Sequence, residues 1–133
     1  MDRKQATERI LAGMNNPFVT FLAHPTCRMI GYREGFDLDM EKIFEQAVQT
    51  HTALEINSFP DRLDLNDIMV KRGKELGVQF IIGSDAHALQ HLDNMIFGVA
   101  TARRGWLEKE NVINTVDVQK IQTFFKEARG KHG

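Results

Sequence analysis

Val78-Gln79-Phe80-Ile81-Ile82-Gly83-Ser84-Asp85-Ala86-His87 is the stretch whose reading decides the fold. It opens with an apolar, β-rich run and breaks off into Gly83, Ser84, Asp85, Ala86 and His87. A near-continuous apolar run predicts a strand buried on both faces, as in a parallel sheet covered by helices. The polar residues then fall just past the strand's carboxyl end. In α/β barrels and open α/β sheets, ligands and catalytic groups gather there. Asp85 and His87 are two apart in extended chain, so they point to the same side and can share one metal ion.

Working outward, the same pattern recurs. Residues 3–14 predict a helix with Ala6, Ile10, Leu11 and Met14 on one face, stopped by Gly13, Asn15 and Asn16. Residues 18–23 predict a short apolar strand that ends in His24-Pro25-Thr26, followed by a loop over 27–38. Asp39 is a good N-cap for a helix over 40–50, with Met40, Ile43, Phe44, Ala47 and Val48 at helical spacing. Ala53–Asn57 predicts a second short strand with a polar end. Asp64 can cap a helix over about 65–76, with Leu65, Ile68, Met69 and Leu76 toward the core and Gly77 closing it.

Beyond His87 the spacing predicts a short helix over about 88–95, then a possible fourth strand over 96–100 and a basic turn over 101–106. A weak helical turn follows over 108–114. The last predicted helix, over about 116–129, buries Val118, Ile121, Phe124, Phe125 and Ala128. The order α-β-α-β-α-β-α implies right-handed βαβ units and a parallel sheet of three to four strands with flanking helices. So few strands cannot close a barrel, so the chain reads as part of a barrel or as a small open α/β sheet.

A length of 133 residues suffices for one domain with a core. A net charge of −1 provides no bulk field for nucleic acid, so such a contact would need a local basic patch. Cys27 is the single cysteine, which rules out an intrachain disulfide and suits a reducing cytosol. The apolar runs are too short to span a bilayer, and the first ten residues carry no signal-peptide apolar region. Neither a membrane nor an exported location is expected, and the expectation is cytoplasmic.

His24, Asn57, Asp85 and His87 all end strands, so parallel strands would place them on one rim. Imidazole nitrogen and carboxylate oxygen suit Zn²⁺, Mn²⁺ or Fe, and a bound metal could generate hydroxide near neutral pH. The plainer readings stand beside these. His24 would serve as a hydrogen-bonded structural residue, Asp85 as a helix cap, and Asn57 as a loop anchor. Glu55 is read as a paired structural carboxylate that alternates away from Asn57's neighbours. His51 reads as solvated at a helix end, His91 as surface or supporting, and His132 as part of a disordered tail. Arg28, Arg33, Arg103 and Arg104 are the loop cations suited to phosphate, with ordinary surface charge the alternative.

His24-Pro25-Thr26 with Arg28, then Leu54-Glu55-Ile56-Asn57 with Pro60-Asp61-Arg62-Leu63-Asp64, then Ser84-Asp85-Ala86-His87 resemble the later motifs of the polymerase and histidinol phosphatase (PHP) domain. Leu92-Asp93-Asn94-Met95 and the run from Phe97 to Leu107 resemble the C-terminal end of bacterial and archaeal family X DNA polymerases. The resemblance spans about residues 17–115. It implies the C-terminal part of a distorted (β/α)7 barrel with a multinuclear site for a divalent metal, Mn²⁺ or Zn²⁺ first and Mg²⁺ as a further candidate. It implies phosphoester hydrolysis, including 3′→5′ exonuclease processing of DNA ends in repair, with DNA as the partner of the full-length protein. By position His24, Asp85 and His87 match metal ligands, Asp85 and His87 catalytic residues, and Arg28 a group near the phosphate.

The chain departs from the family in one large respect. No histidine precedes His24, so the early His-x-His ligand pair is absent, as is a polymerase core. Residues 1–133 are therefore read as a single partial PHP domain, inactive alone, either an excised piece or a truncated reading frame. Cys27 stands where a glycine is commoner in the family. The alternatives are a non-catalytic folded module and a small-molecule phosphoesterase resembling histidinol phosphatases. His24, Asp85 and His87 are expected to converge within one metal's reach. The open strand edge is expected to drive self-association, most simply as a twofold dimer, unless the first helix covers the open face.

Overall fold

The computed structural model describes residues 1–130, apart from the side chain of Arg129. His132 lies outside the described residues. The chain runs α1 (Arg3–Met14), β1 (Phe21–Leu22), α2 (Met40–Gln49), β2 (Ala53–Asn57), α3 (Asp67–Glu75) and β3 (Phe80–Gly83). A 3-10 turn (Leu89–Asn94) leads into α4 (Met95–Arg104), two further 3-10 turns (Lys109–Asn111 and Ile113–Thr115) and α5 (Val118–Arg129). The strands form one parallel sheet in the order β1-β2-β3. The predicted α/β alternation with a parallel sheet is what the chain adopts.

Local signals account for most of this. Asp2 caps α1 with a reciprocal capping box to Gln5, and Asp39 Oδ1 accepts from Lys42 N at 3.4 Å to start α2. Gly77 takes φ +92° just past α3, a conformation that glycine adopts at little cost. Ile43, Phe44 and Ala47 of α2 and Val70 of α3 pack on Leu54, Ile56 and Phe80 of the sheet to make the core. All five residues of β2 are buried, as befits the middle strand.

Several boundaries move. β1 shrinks to two residues because Asn16 builds a turn, with Phe18 N donating to Asn16 Oδ1 at 2.9 Å and Val19 N to Asn16 O at 3.0 Å. Phe18 is left 82% exposed. Asn66, not Asp64, caps α3, accepting from Met69 N at 2.9 Å. Asp64 is instead buried behind β2, where its carbonyl takes the Asn57 N–H at 2.6 Å. Ile68, expected in the core, faces outward, and Val70 replaces it. Val48 of α2 is likewise exposed, as is Val118 of α5, whose Ala128 is buried. β3 alternates buried Phe80 and Ile82 with partly open Ile81 and Gly83, so it is not covered on both faces.

The largest correction is residues 96–100, which are helical. The inward positions of α4 are Met95, Gly98 and Ala102, a helical spacing of small or flexible residues. Gly98 lies so close to the sheet that a Cβ there would overlap Ser58 Oγ and Ile82 Cγ2. The helix needs glycine at that point to rest on the carboxyl ends of β2 and β3. The place beside β3 belongs to Val112, which forms a parallel bridge with Phe80.

Candidate functional site at the strand carboxyl ends

Glu55 is the hub of the rim. Glu55 and Asn57 are two apart in β2, so their side chains leave the same face of the sheet. Asn57 Nδ2 donates to Glu55 Oε2 at 3.2 Å and to Asp85 Oδ2 at 3.1 Å. The backbone N–H of His24 donates to Glu55 Oε2 at 2.6 Å. His24 past β1, Glu55 and Asn57 of β2, and Asp85 past β3 are therefore one hydrogen-bonded chain across all three strand ends. Glu55 lies flat over β3 because Gly83 has no side chain, and a Cβ there would strike Glu55 Oε1. The reading of Glu55 as turned away from Asn57's neighbours is overturned. A period of two already places both on one face.

Burial pushes the Glu55 carboxyl above its ordinary range, and the negative charge of Asp85 adds to this. The His24 N–H and the Asn57 amide oppose it. Burial also raises Asp64, whose Oδ2 accepts from Thr26 N at 3.0 Å. The Cys27 thiol is raised first by burial and then by the charge of Asp64. Its Sγ lies 3.5 Å from His24 Nδ1.

Four non-glycine residues in the left-handed region surround this rim: His24 (φ +28°), Cys27 (φ +57°), Leu63 (φ +43°) and Asp85 (φ +53°). Such backbone is costly for a side-chain-bearing residue and persists where surrounding structure enforces it, a mark of functional loops. The enforcement is visible. Arg28 Nε donates to Arg62 O at 2.6 Å and its Nη2 to Leu63 O, while Arg62 Nη1 donates to Arg28 O at 3.3 Å. Arg28, expected near phosphate, thus spends two donors on the carbonyls of the 62–63 turn. The guanidinium nearest the acidic cluster is that of Arg62, with Nε 3.4 Å from Asp85 Oδ2.

His87 is exposed and folds back on its own turn. Its Nδ1 lies 2.7 Å from Asp85 O, and its N–H donates to His91 Nδ1 at 3.1 Å. The His91 ring in turn meets Phe59 edge-on at 5.1 Å. His51 is exposed past the end of α2, as expected. Arg104 is paired with Asp67 at 2.9 Å and lines, with Arg28, Asn66, Phe97 and Thr101, a cleft of about 280 Å³ beside the rim.

The donor chemistry suits a divalent metal, but the arrangement does not. Among the described residues no three His, Cys, Asp or Glu side chains are grouped to hold an ion. The expected convergence of His24, Asp85 and His87 within one metal's reach is therefore not present, although His24 and Asp85 do share one rim. Asp85 is held by Asn57 and Arg62, Glu55 by His24 and Asn57, and His87 by its own turn. Sequence reasoning missed Glu55, Arg62 and Asp64. The period-two rule flagged the first, but nothing local flags the others, which reach the site through the loop after β2. Among the described residues, no helix is long and apolar enough to cross a membrane.

No family model matches the chain. Among characterised proteins, it is 40% identical over 119 residues to the DNA polymerase/3′-5′ exonuclease PolX of Bacillus subtilis, covering 90% of this chain and 21% of PolX. It is 28% identical over 138 residues to a protein named probable phosphatase of Thermoanaerobacter sp. strain X514, covering 99% of this chain and 54% of that protein. A probable phosphatase of Caldanaerobacter subterraneus is 25% identical over 138 residues, again with 99% of this chain and 52% of the relative covered. The chain thus spans about a fifth of PolX and about half of the phosphatases. Over 119 residues the chain is therefore similar to PolX of Bacillus subtilis, in agreement with the motif resemblance.

Proposed function

We propose that this chain is the C-terminal part of a PHP-type phosphoesterase barrel and that residues 1–133 form one partial domain. The whole domain would hydrolyse phosphodiesters at DNA 3′ ends. The observation that supports this best is the hydrogen-bonded chain His24–Glu55–Asn57–Asp85, which joins the carboxyl ends of three parallel strands, where such folds carry chemistry. In this reading His24, Asp85 and His87 are contributed as ligands to a divalent metal, Mn²⁺ or Zn²⁺ before Mg²⁺, and the remaining ligands come from residues outside this chain. The side chains here do not complete such a site, and the isolated chain is accordingly proposed to be inactive. Asn57 orients Asp85, Glu55 ties the His24 backbone to Asn57, and Arg28 and Arg104 flank the cleft where a phosphate would enter.

The test places Asp85→Ala in a full-length polymerase carrying this segment. Loss of Mn²⁺-dependent 3′→5′ exonuclease activity, with polymerisation retained, is the expected result. Unchanged exonuclease activity would overturn the reading. A second reading, a small-molecule phosphoesterase, is favoured by the phosphatase relatives, which match nearly the whole chain. A panel of phosphomonoesters set against 3′-ended oligonucleotides separates the two.

A further inference from the structure

Trp106, the single tryptophan of the chain, is 70% exposed and stands just past α4 in a place that ordinarily falls to glycine. Its backbone takes φ +62°. Trp106 N donates to Arg103 O and Leu107 N to Ala102 O, both at 3.0 Å, the paired closure that stops a helix on a left-handed residue. An indole in that place meets the penalty of the conformation and gains little packing in return. The geometry points to a binding subsite in which an unpaired base of a nucleic-acid strand stacks on Trp106 and neighbouring cations hold the strand's phosphates.

The turn presents the ring beside positive charge. A Cβ on Gly105 would overlap Val70 Cγ1, so glycine lets the end of α4 press on α3. Lys71 Nζ then lies 5.2 Å from the centroid of the Trp106 ring, and Lys74 Nζ donates to Trp106 O. Lys71 and Lys74 are three apart on α3 and share a face. Among the described residues Lys71 and Arg103 enter no ion pair. Asp67 is taken up by Arg104 at 2.9 Å, which leaves Glu108, two residues past the ring, as the acid nearest in sequence. A chain of net charge −1 thus has a local basic patch around an open aromatic face.

Charge and shape together select the partner. An acidic peptide would use the ammonium groups and leave the ring unused. A duplex hides its base faces within the stack. A single strand supplies a flat ring and an anion at every residue, and so uses both features. The flexible stem of Lys71 lets its ammonium turn from the ring to a phosphate. Arg104, two residues before Trp106, lines the cleft beside the rim, so the subsite continues from that cleft. It needs no metal and stands whether or not the rim hydrolyses phosphoesters.

The test titrates a short oligodeoxythymidine into the full chain at low salt in EDTA, so no hydrolysis is measured and the outcome is separate from that of the exonuclease test. Emission from Trp106 reports directly, since the chain has no other tryptophan. Stacking is expected to quench it. An abasic strand of equal length and charge should bind roughly five- to tenfold more weakly and leave the emission unchanged. Trp106→Gly suits the left-handed turn and removes only the ring. By anisotropy of a labelled strand, it should bind thymidine as weakly as the wild type binds the abasic strand. Lys71→Gln should reduce the salt slope of binding by about 0.7. Equal wild-type affinity for the abasic and thymidine strands, or for a polyglutamate of matching charge, would overturn the inference. So would a Trp106→Gly chain that binds thymidine like the wild type. If that variant does not fold, the wild-type comparison of the two strands decides alone.

Discussion

The side chain of Asn114 serves Ile82 as a neighbouring strand would. Ile82 N donates to Asn114 Oδ1 at 3.1 Å, and Asn114 Nδ2 donates to Ile82 O at 2.8 Å. One carboxamide thus satisfies both backbone groups of the residue that leads into the Gly83–His87 turn. With the Val112–Phe80 bridge beside it, this closes the outer edge of β3.

Asn114→Ala would remove both bonds and leave two partly buried backbone groups unpaired. A loss of about 1–3 kcal/mol is expected by urea unfolding. Asn114→Asp, which keeps the acceptor but not the donor, should fall between. A loss indistinguishable from zero would mean that water already serves this edge.

Cys27 holds φ +57°, a conformation that disfavours any residue with a Cβ. Its thiol makes one long contact with His24. Cys27→Gly should relieve the strain and raise stability by about 0.5–1 kcal/mol after the extra chain entropy of glycine is counted. Thermal melts of the two proteins check this. A lower midpoint for the glycine variant would show that thiol packing outweighs backbone strain.

Glu55 and Asp64 both have raised carboxyls in the folded chain, relative to 4.5 and 3.8 in the open chain. For an acid raised on folding, the stability it contributes is full below the open-chain value and is lost as pH climbs through the folded value. The exposed Glu41 and Asp67 are lowered by Arg72 and Arg104 respectively, and their contribution is lost only as pH falls below the ordinary carboxylate range. Just above the ordinary carboxylate range the buried pair therefore sets the sign, and stability should decrease as pH rises. Glu55→Gln should flatten the slope. An upward slope over that window in the wild type would contradict the assignment.

Among the described residues no strand pairs with the outer edge of β1. Phe21 on that edge is 42% exposed, with Phe18 beside it. α1 packs on α2, and an apolar groove of about 430 Å³ near β1 is lined in part by Ala6, Ile10, Met14, Val19 and Leu22. An open edge next to apolar surface is a template for another chain. Light scattering across a concentration series should show a dimer that Phe21→Lys weakens. A constant monomer mass at high concentration would contradict this.

Much of the fold was legible because its signals are local. Helical spacing and caps set α1 and α2, an apolar run set β2, and Gly77 stopped α3. Residues 96–100 misled because Ile96, Phe97 and Val99 look like a strand when read alone. Only contact with Ser58 and Ile82 shows that Gly98 is the inward residue and that the segment is helical. The rim was legible at His24, Asn57 and Asp85, since any polar residue ending a parallel strand lands there. The roles of Arg62, Arg28 and Asp64 were not, because they depend on how the loop after β2 folds back over it. That path is set by backbone carbonyls meeting side chains more than thirty residues away in sequence. Sequence alone determined that His24, Asn57 and Asp85 reach the carboxyl rim, because each ends an apolar run whose strand character needs no partner to be read. Only the tertiary structure decided which of them hold one another, because hydrogen bonds and ion pairs depend on distances that distant segments set together.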